Sequence, residues 1–124
     1  MPFAGNCPKK DCPPQDAEKV NGDVIRFVRN DPPTAADTRT YADDGKTGDD
    51  ACAACALSVL RRLEDVPVAR KAMPWFKKRL VAKATLSPAH GLIKQTGANK
   101  WHFSFWVEAG HLATIHKSFA VVAA

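Results

Sequence analysis

Four cysteines in two close pairs, Cys7/Cys12 and Cys52/Cys55, constrain the fold of this chain more than any other sequence feature. If they are oxidised, four cysteines allow three disulfide pairings, and the sequence alone does not choose among them. If they are reduced, the Cys-x-x-Cys spacing of the second pair is a common zinc half-site, and the four together can form one Cys₄ site. A third interpretation is that the second pair contains a reactive thiol.

The length of 124 residues predicts one domain, and a hydrophobic content of 45% is enough for one modest core. Residues 1–17 are interrupted by four prolines, which predict an irregular N-terminal arm. Residues 18–124 then form a single α+β domain of catalytic type. Its first element is expected within residues 18–30, and the polar residues 31–50 are expected to be a loop.

Two helices are predicted in the middle of the chain. From Asp50 to Leu63, apolar residues follow the i, i+3, i+4 spacing of one buried stripe, and that stripe includes both Cys52 and Cys55. A second helix is expected over residues 67–83, and Pro74 is expected to break or kink it. Both helices would precede the main strands of the sheet.

The C-terminal third is predicted to form strands. Residues 101–107 alternate cleanly, with His102, Ser104 and Trp106 on one face and apolar residues on the other. Shorter strands are expected at residues 92–95, 112–116 and 119–122. Helices followed by antiparallel strands predict an α+β fold, with N-terminal helices packed on a small antiparallel sheet.

The charge is divided unevenly along the chain. Residues 1–65 contain nine basic and twelve acidic residues, whereas residues 66–124 contain nine basic residues and one acidic residue. A basic half favours an anionic partner such as nucleic acid, cell wall or an acidic protein, although a solvated surface without a partner is the alternative. No apolar run is long enough for a membrane-spanning helix, and no secretory signal is expected at the N-terminus.

Cys52 and His102 form the one combination whose residue types indicate catalysis. Cys52 begins the first predicted helix, where the helix dipole favours a thiolate, although Asp49 and Asp50 oppose it. His102 lies on the alternating strand and could act as the base of a cysteine nucleophile.

The order of several segments resembles the NlpC-type cell-wall peptidases, which are small papain-like cysteine hydrolases. Tyr41-Ala42-Asp43-Asp44-Gly45 precedes Asp50-Ala51-Cys52-Ala53-Ala54, and the segments 86–93, 102–107 and 114–118 follow in the family's order. The chain departs from the family at Ala53-Ala54, which replaces Ser-Gly, and at the acidic residue, which is displaced by one position from the cysteine.

This resemblance implies a papain-like fold and an amidase activity without a cofactor. Cys52 would be the nucleophile, His102 the general base, His116 the residue that orients the imidazole, and Tyr41 a support for the oxyanion. The substrate would be a peptidoglycan stem peptide. Similar small amidases are antibacterial effectors that secretion systems deliver to a periplasm, and a cognate inhibitor protein would then be a partner.

Three alternatives remain open at this point. In the register of papain proper, Cys55 is the nucleophile and His111 the base, although Cys55 also fits a buried inert thiol. A zinc site formed by all four cysteines would make the chain a nucleic-acid-binding module. A metal-independent RNase toxin would instead use His102, His116 and Lys117 on a phosphodiester, and it would need neither helix cysteine.

Overall fold

The structure is a computed structural model that describes residues 1–124, and antiparallel strands dominate it. The seven strands are β1 (Glu18–Lys19), β2 (Gly22–Val28), β3 (Leu57–Val59), β4 (Leu80–Leu86), β5 (Gly91–Gln95), β6 (Phe103–Val107) and β7 (Ala120–Val122). The two α-helices are short: α1 (Ala51–Ala54) and α2 (Val66–Ala72). Single turns of 3-10 helix occur at Ala35–Thr38, Leu63–Asp65, Pro74–Lys78, Pro88–His90, Ala109–His111 and Ile115–Ser118. None of the helices combines the length and apolar character needed to cross a bilayer.

The strands form two antiparallel sheets. One has the order β1-β5-β6-β3 and the other the order β2-β4-β7. Ile25 and Leu60 connect them, because each donates its backbone N–H to the other's carbonyl at 2.7 Å. In the first sheet, Ser58 of β3 lies directly opposite Ser104 of β6, and this register determines which side chains meet on the outer face.

The main core is shared by both sheets, since alternate residues of each strand turn toward it. Its buried members are Val20, Val24, Val28, Leu57, Val59, Ala82, Ala84, Leu86, Ile93, Phe105, Val107, Ile115 and Phe119. A second cluster packs α2 against Ile25 and Val81 on the other face of the second sheet. A third surrounds Trp106 on the other face of the first sheet, where the N-terminal arm covers it.

The predicted helix from Asp50 to Leu63 is wrong beyond its first turn. Asp50 caps α1 by accepting from the Ala53 N–H at 3.0 Å, but the helix ends after Ala54 and β3 begins at Leu57. The segment Leu57-Ser58-Val59 alternates with period two, and its apolar side chains enter the core through strand pairing with β6. Pairing with β6 therefore overrides the helical spacing of the apolar residues. Cys52 and Cys55 contributed to that spacing, but disulfides join them to the N-terminal arm.

The architecture of N-terminal helices packed on a sheet is also wrong. The second predicted helix ends at Ala72, and Pro74 opens a 3-10 turn, so the predicted break occurs. The remainder of that segment is β4, which starts at Leu80. The fold thus contains both α and β structure, with two antiparallel sheets and few helices.

The strand predictions near the C-terminus are mostly confirmed. β5 covers the segment expected at 92–95 and β6 lies within 101–107; Phe105 and Val107 face the main core, while Ser104 and Trp106 point to the opposite face of the sheet, where both are buried. The strand predicted at 112–116 is wrong, since that stretch consists of turns that lead into a 3-10 helix. Residues 1–17 contain neither helix nor strand.

Candidate functional site

The four cysteines are joined in two disulfides, Cys7–Cys55 and Cys12–Cys52. Both bonds connect the N-terminal arm to α1 and the residue after it, so the arm is covalently fixed over Trp106. The Trp106 indole N–H donates to the Cys52 carbonyl at 2.9 Å, which ties this cluster to β6. In this structure neither Cys52 nor Cys55 carries the free thiol that a nucleophile needs.

His102 lies just before β6 and is hydrogen-bonded through both ring nitrogens. Its Nε2 lies 3.1 Å from the Ser58 hydroxyl, and its Nδ1 lies 3.1 Å from the Thr96 hydroxyl and 3.2 Å from the Thr96 carbonyl. The Thr96 hydroxyl in turn lies 2.8 Å from that of Ser104. The register of β3 on β6 thus brings His102 to a serine, and its ring makes no hydrogen bond to a cysteine.

The tautomer of His102 follows from these partners. A backbone carbonyl only accepts hydrogen bonds, so the Thr96 carbonyl assigns the ring proton to Nδ1. Nε2 is then the unprotonated nitrogen, and the Ser58 hydroxyl donates to it. Because Nε2 holds the lone pair, it is the ring nitrogen able to accept a proton, and Ser58 is the group placed to deliver it.

A groove of about 720 Å³ opens beside this pair, and His102 and Ser58 are among the residues that line it. Its basic lining residues are Arg26, Arg29, Arg39 and Arg79. Its aromatic lining residues are Phe27, Tyr41, Trp75, Phe76 and Trp101. This combination of cationic and aromatic side chains favours a ligand that is both anionic and planar.

The four arginines differ in how they are held. Arg26 donates to the carbonyls of Asp37 at 2.7 Å and Ser58 at 2.8 Å. Its burial lowers the pKa to about 10, against the raising effect of Asp37 and Tyr41, so the side chain stays cationic at neutral pH. Arg39 pairs with Asp44 at 2.7 Å. The guanidinium groups of Arg29 and Arg79 bond to no other side chain or carbonyl of the chain, which leaves both available to a ligand.

Asp37 organises the loop that forms one rim of the groove. It is only 7% exposed, and it accepts from the Arg29 N–H at 2.7 Å, the Thr34 N–H at 2.9 Å and the Asn30 amide at 3.0 Å. Burial acts to raise the pKa of its carboxyl, but these hydrogen bonds and the charge of Arg26 outweigh burial and lower it. The ionised carboxylate therefore fixes the backbone from which Arg29 extends.

Aromatic side chains on the groove are partly open to solvent. Trp75 is 57% exposed and Tyr41 is 62% exposed, so both rings can be reached by a ligand. Beneath Trp75, the ring of Phe76 stacks on Phe27 with centroids 4.2 Å apart and planes inclined by 10°. The stacked rings of Phe27 and Phe76 thus form part of the groove lining, and Trp75 and Tyr41 add rings that are exposed to solvent.

The other sequence-predicted residues are not all brought together. Tyr41 lines the groove with His102, whereas His116 does not and has a buried Nδ1 without a hydrogen-bond partner. His111 lies 3.9 Å from Glu108 and packs near His90, also outside the groove lining. Sequence reasoning missed Ser58 and the groove arginines; the only signal for Ser58 was its place between two core-forming apolar residues.

No protein-family model, curated protein or solved structure matches this chain.

Proposed function

We propose that this protein is a ribonuclease that binds single-stranded RNA in the arginine-lined groove and uses His102 to move the proton of the reacting hydroxyl. The observation that carries the proposal is the hydrogen-bonded His102–Ser58 pair, located in a groove that also contains unpaired guanidinium groups and exposed aromatic rings. This is the ribonuclease alternative of the sequence analysis, with different residues around His102.

Binding would depend on two kinds of side chain. Arg29 and Arg79 are suited to phosphate oxygens, because a guanidinium offers several N–H donors in a planar fork. Trp75 and Tyr41 are suited to unstacked bases, since aromatic rings accept any base on their faces. A single strand satisfies both requirements at once, whereas a duplex keeps its bases stacked inside.

The chemistry would begin at Nε2 of His102. The Ser58 hydroxyl passes its proton to this nitrogen as it takes the proton of a ribose 2′-hydroxyl, and the 2′-oxygen attacks the adjacent phosphorus. The bond from phosphorus to the 5′-oxygen breaks, which leaves a 2′,3′-cyclic phosphate on one fragment. The departing 5′-oxygen takes a proton from water, and the hydroxide that forms takes the proton held by His102, which returns the side chains to their starting protonation states. Arg29 and Arg79, whose guanidinium groups are available to a ligand, offset the charge that develops on the phosphate oxygens.

The peptidoglycan amidase remains a prediction that this geometry does not favour. It requires a thiolate at Cys52, which forms only if the bond to Cys12 is reduced. It also requires His102 to move to that thiolate, whereas its ring nitrogens are hydrogen-bonded to Ser58 and Thr96.

The test compares three proteins on a fluorescently labelled single-stranded RNA. Wild type should cleave it, and His102→Ala should lose about 10²- to 10⁴-fold in rate, the usual contribution of a general base. A Cys12→Ser/Cys52→Ser variant should retain cleavage per folded molecule, with folding checked by circular dichroism.

Two results would contradict the proposal. One is the absence of RNA cleavage by wild type, and the other is equal cleavage by His102→Ala purified in parallel, which would indicate a contaminating nuclease. Release of peptides from muropeptides by reduced wild type, lost in Cys52→Ser, would instead support the amidase.

A further inference from the structure

The two disulfides lie against each other, so the four cysteine sulfurs form one compact cluster. Cys12 Sγ lies 3.8 Å from Cys55 Sγ, although the two belong to different bonds. The sulfurs of Cys7, Cys12 and Cys55 all lie within 4.8 Å of one another. The fourth sulfur, on Cys52, is bonded to Cys12 but lies outside this group, so it would have to approach the other sulfurs.

We propose that reduction converts this pair of disulfides into a single tetrahedral Zn²⁺ site with all four cysteines as ligands. With a zinc–sulfur distance of about 2.3 Å, neighbouring sulfurs of a tetrahedral site lie about 3.8 Å apart. The unbonded contact between Cys12 and Cys55 already has this length. The bonded sulfurs would separate from about 2.0 Å to about 3.8 Å, a change that side-chain rotation can supply.

The chain presents these ligands in a manner that suits a structural metal. Cys52 and Cys55 have the Cys-x-x-Cys spacing and come from α1 and the residue that ends it. Cys55 is 4% exposed, and the other three cysteines are partly buried where they pack against the cluster around Trp106. Such packing limits the access of water and of competing ligands to a bound ion.

The conversion balances in electrons and protons. Opening both disulfides takes four electrons and four protons, which two molecules of a dithiol or phosphine reductant supply, the phosphine drawing on water. Zn²⁺ then displaces the four thiol protons as it binds. The arm is held to α1 in both states, once by sulfur–sulfur bonds and once through the metal.

A zinc-bound cluster would also keep the groove rim in place. The turn that carries Tyr41 is tied to α1 by the Ala42 N–H, which donates to the Ala54 carbonyl at 2.9 Å. It is tied to the arm by the Asn6 amide, which donates to Asp43 at 2.8 Å. The rim can therefore keep its position in oxidising and in reducing surroundings, provided that the cysteines remain cross-linked in one of the two ways.

The test uses the full chain. Protein reduced with a phosphine is mixed with one equivalent of Zn²⁺ and desalted, and its metal content is measured by elemental analysis. We expect about one Zn²⁺ per reduced chain and none on the oxidised chain. Co²⁺ in place of Zn²⁺ should give the visible absorption of tetrahedral thiolate-bound cobalt.

The matched control is Cys7→Ser/Cys12→Ser, in which half of the ligands are lost; we expect its affinity for Zn²⁺ to fall at least 100-fold. Reduced wild type that retains no metal, whether it is folded or unfolded, would overturn the proposal. So would equal metal binding by the oxidised chain or by the variant. If the variant does not fold, the cobalt spectrum of reduced wild type decides between a four-sulfur site and adventitious binding.

Discussion

The arginine-lined groove and the cysteine cluster both lie outside the main core, but different forces hold them. The cluster is fixed by covalent bonds and enclosed by apolar side chains around Trp106. The groove is assembled by strand register and by hydrogen bonds, and its polar groups remain open to solvent. The difference indicates that the cysteines support the fold, while the groups able to react with a ligand surround His102.

Removing one disulfide should have the largest effect on stability and separates the two regions most clearly. Cys12→Ser/Cys52→Ser opens a cross-link between residues 40 positions apart, and we expect it to lower the free energy of unfolding by about 2–5 kcal/mol. Urea titration followed by circular dichroism measures this loss. If the variant binds RNA more weakly than wild type at urea concentrations where it is fully folded, the arginine-lined groove is not independent of the cysteine cluster.

Asp37→Asn should destabilise the groove rim by about 1–3 kcal/mol, because an amide cannot accept from the backbone N–H groups of Arg29 and Thr34 as a carboxylate does. The lowered pKa of Asp37 also sets a pH dependence. Its contribution is fully present above the ordinary aspartate pKa of about 3.9 and is lost as the pH falls through the lower folded value.

Unfolding measured from pH 7 down to pH 2 tests this sign. Wild type should lose stability over the acid range, and Asp37→Asn should lose less of it. If the free energies of unfolding of the two proteins fall equally between pH 7 and pH 2, contacts in the folded state do not lower the pKa of Asp37.

Trp75→Ala should weaken binding of a short single-stranded RNA without changing stability. Loss of one base–aromatic stack costs about 1–3 kcal/mol, which is roughly a 5- to 150-fold increase in Kd. Fluorescence anisotropy gives the affinity. Val68→Ala is the control, since Val68 is an exposed apolar residue of α2 that does not line the groove. If both substitutions raise the Kd equally, the groove is not the RNA-binding site.

Arg79→Ala should give the smallest effect, a change in salt dependence. Loss of one phosphate contact should reduce the slope of log K against log salt concentration by about 0.7 for a single strand. Lys117→Ala removes the same charge outside the groove lining, and it should leave the slope unchanged. Equal slopes for the two variants would indicate diffuse attraction to a basic surface.

The local sequence pattern predicted an element correctly where the surrounding residues favoured the same structure. The alternation of residues 103–107 predicted β6, and Pro74 marked the end of α2, because both depend on the backbone preferences of adjacent residues. The segment after Cys52 misled the same reasoning, since its apolar spacing fits a helix while its pairing with β6 makes it a strand.

The candidate site is formed by contacts between residues far apart in the sequence, which a local pattern does not predict. His102 could be singled out as a base from its strand and residue type, but its partner Ser58 lies 44 positions earlier and reaches it only through the β3–β6 register. The pairing of the cysteines was likewise one of three arrangements, and the path of the arm over Trp106 decides it. The arginines come from β2, from the loops that follow it and from the segment before β4, so only the folded chain shows that they share a groove.

A DNA strand that contains one ribonucleotide tests the role of His102 most directly. If His102 takes the proton of a 2′-hydroxyl through Ser58, wild type should cut this strand once, on the 3′ side of the ribonucleotide, and leave a 2′,3′-cyclic phosphate that mass spectrometry identifies. His102→Ala should cut it about 10²- to 10⁴-fold more slowly, and an all-DNA strand should bind without being cut. An uncut chimeric strand, or cleavage of the all-DNA strand at the same rate, would show that this protein does not cleave RNA through the 2′-hydroxyl.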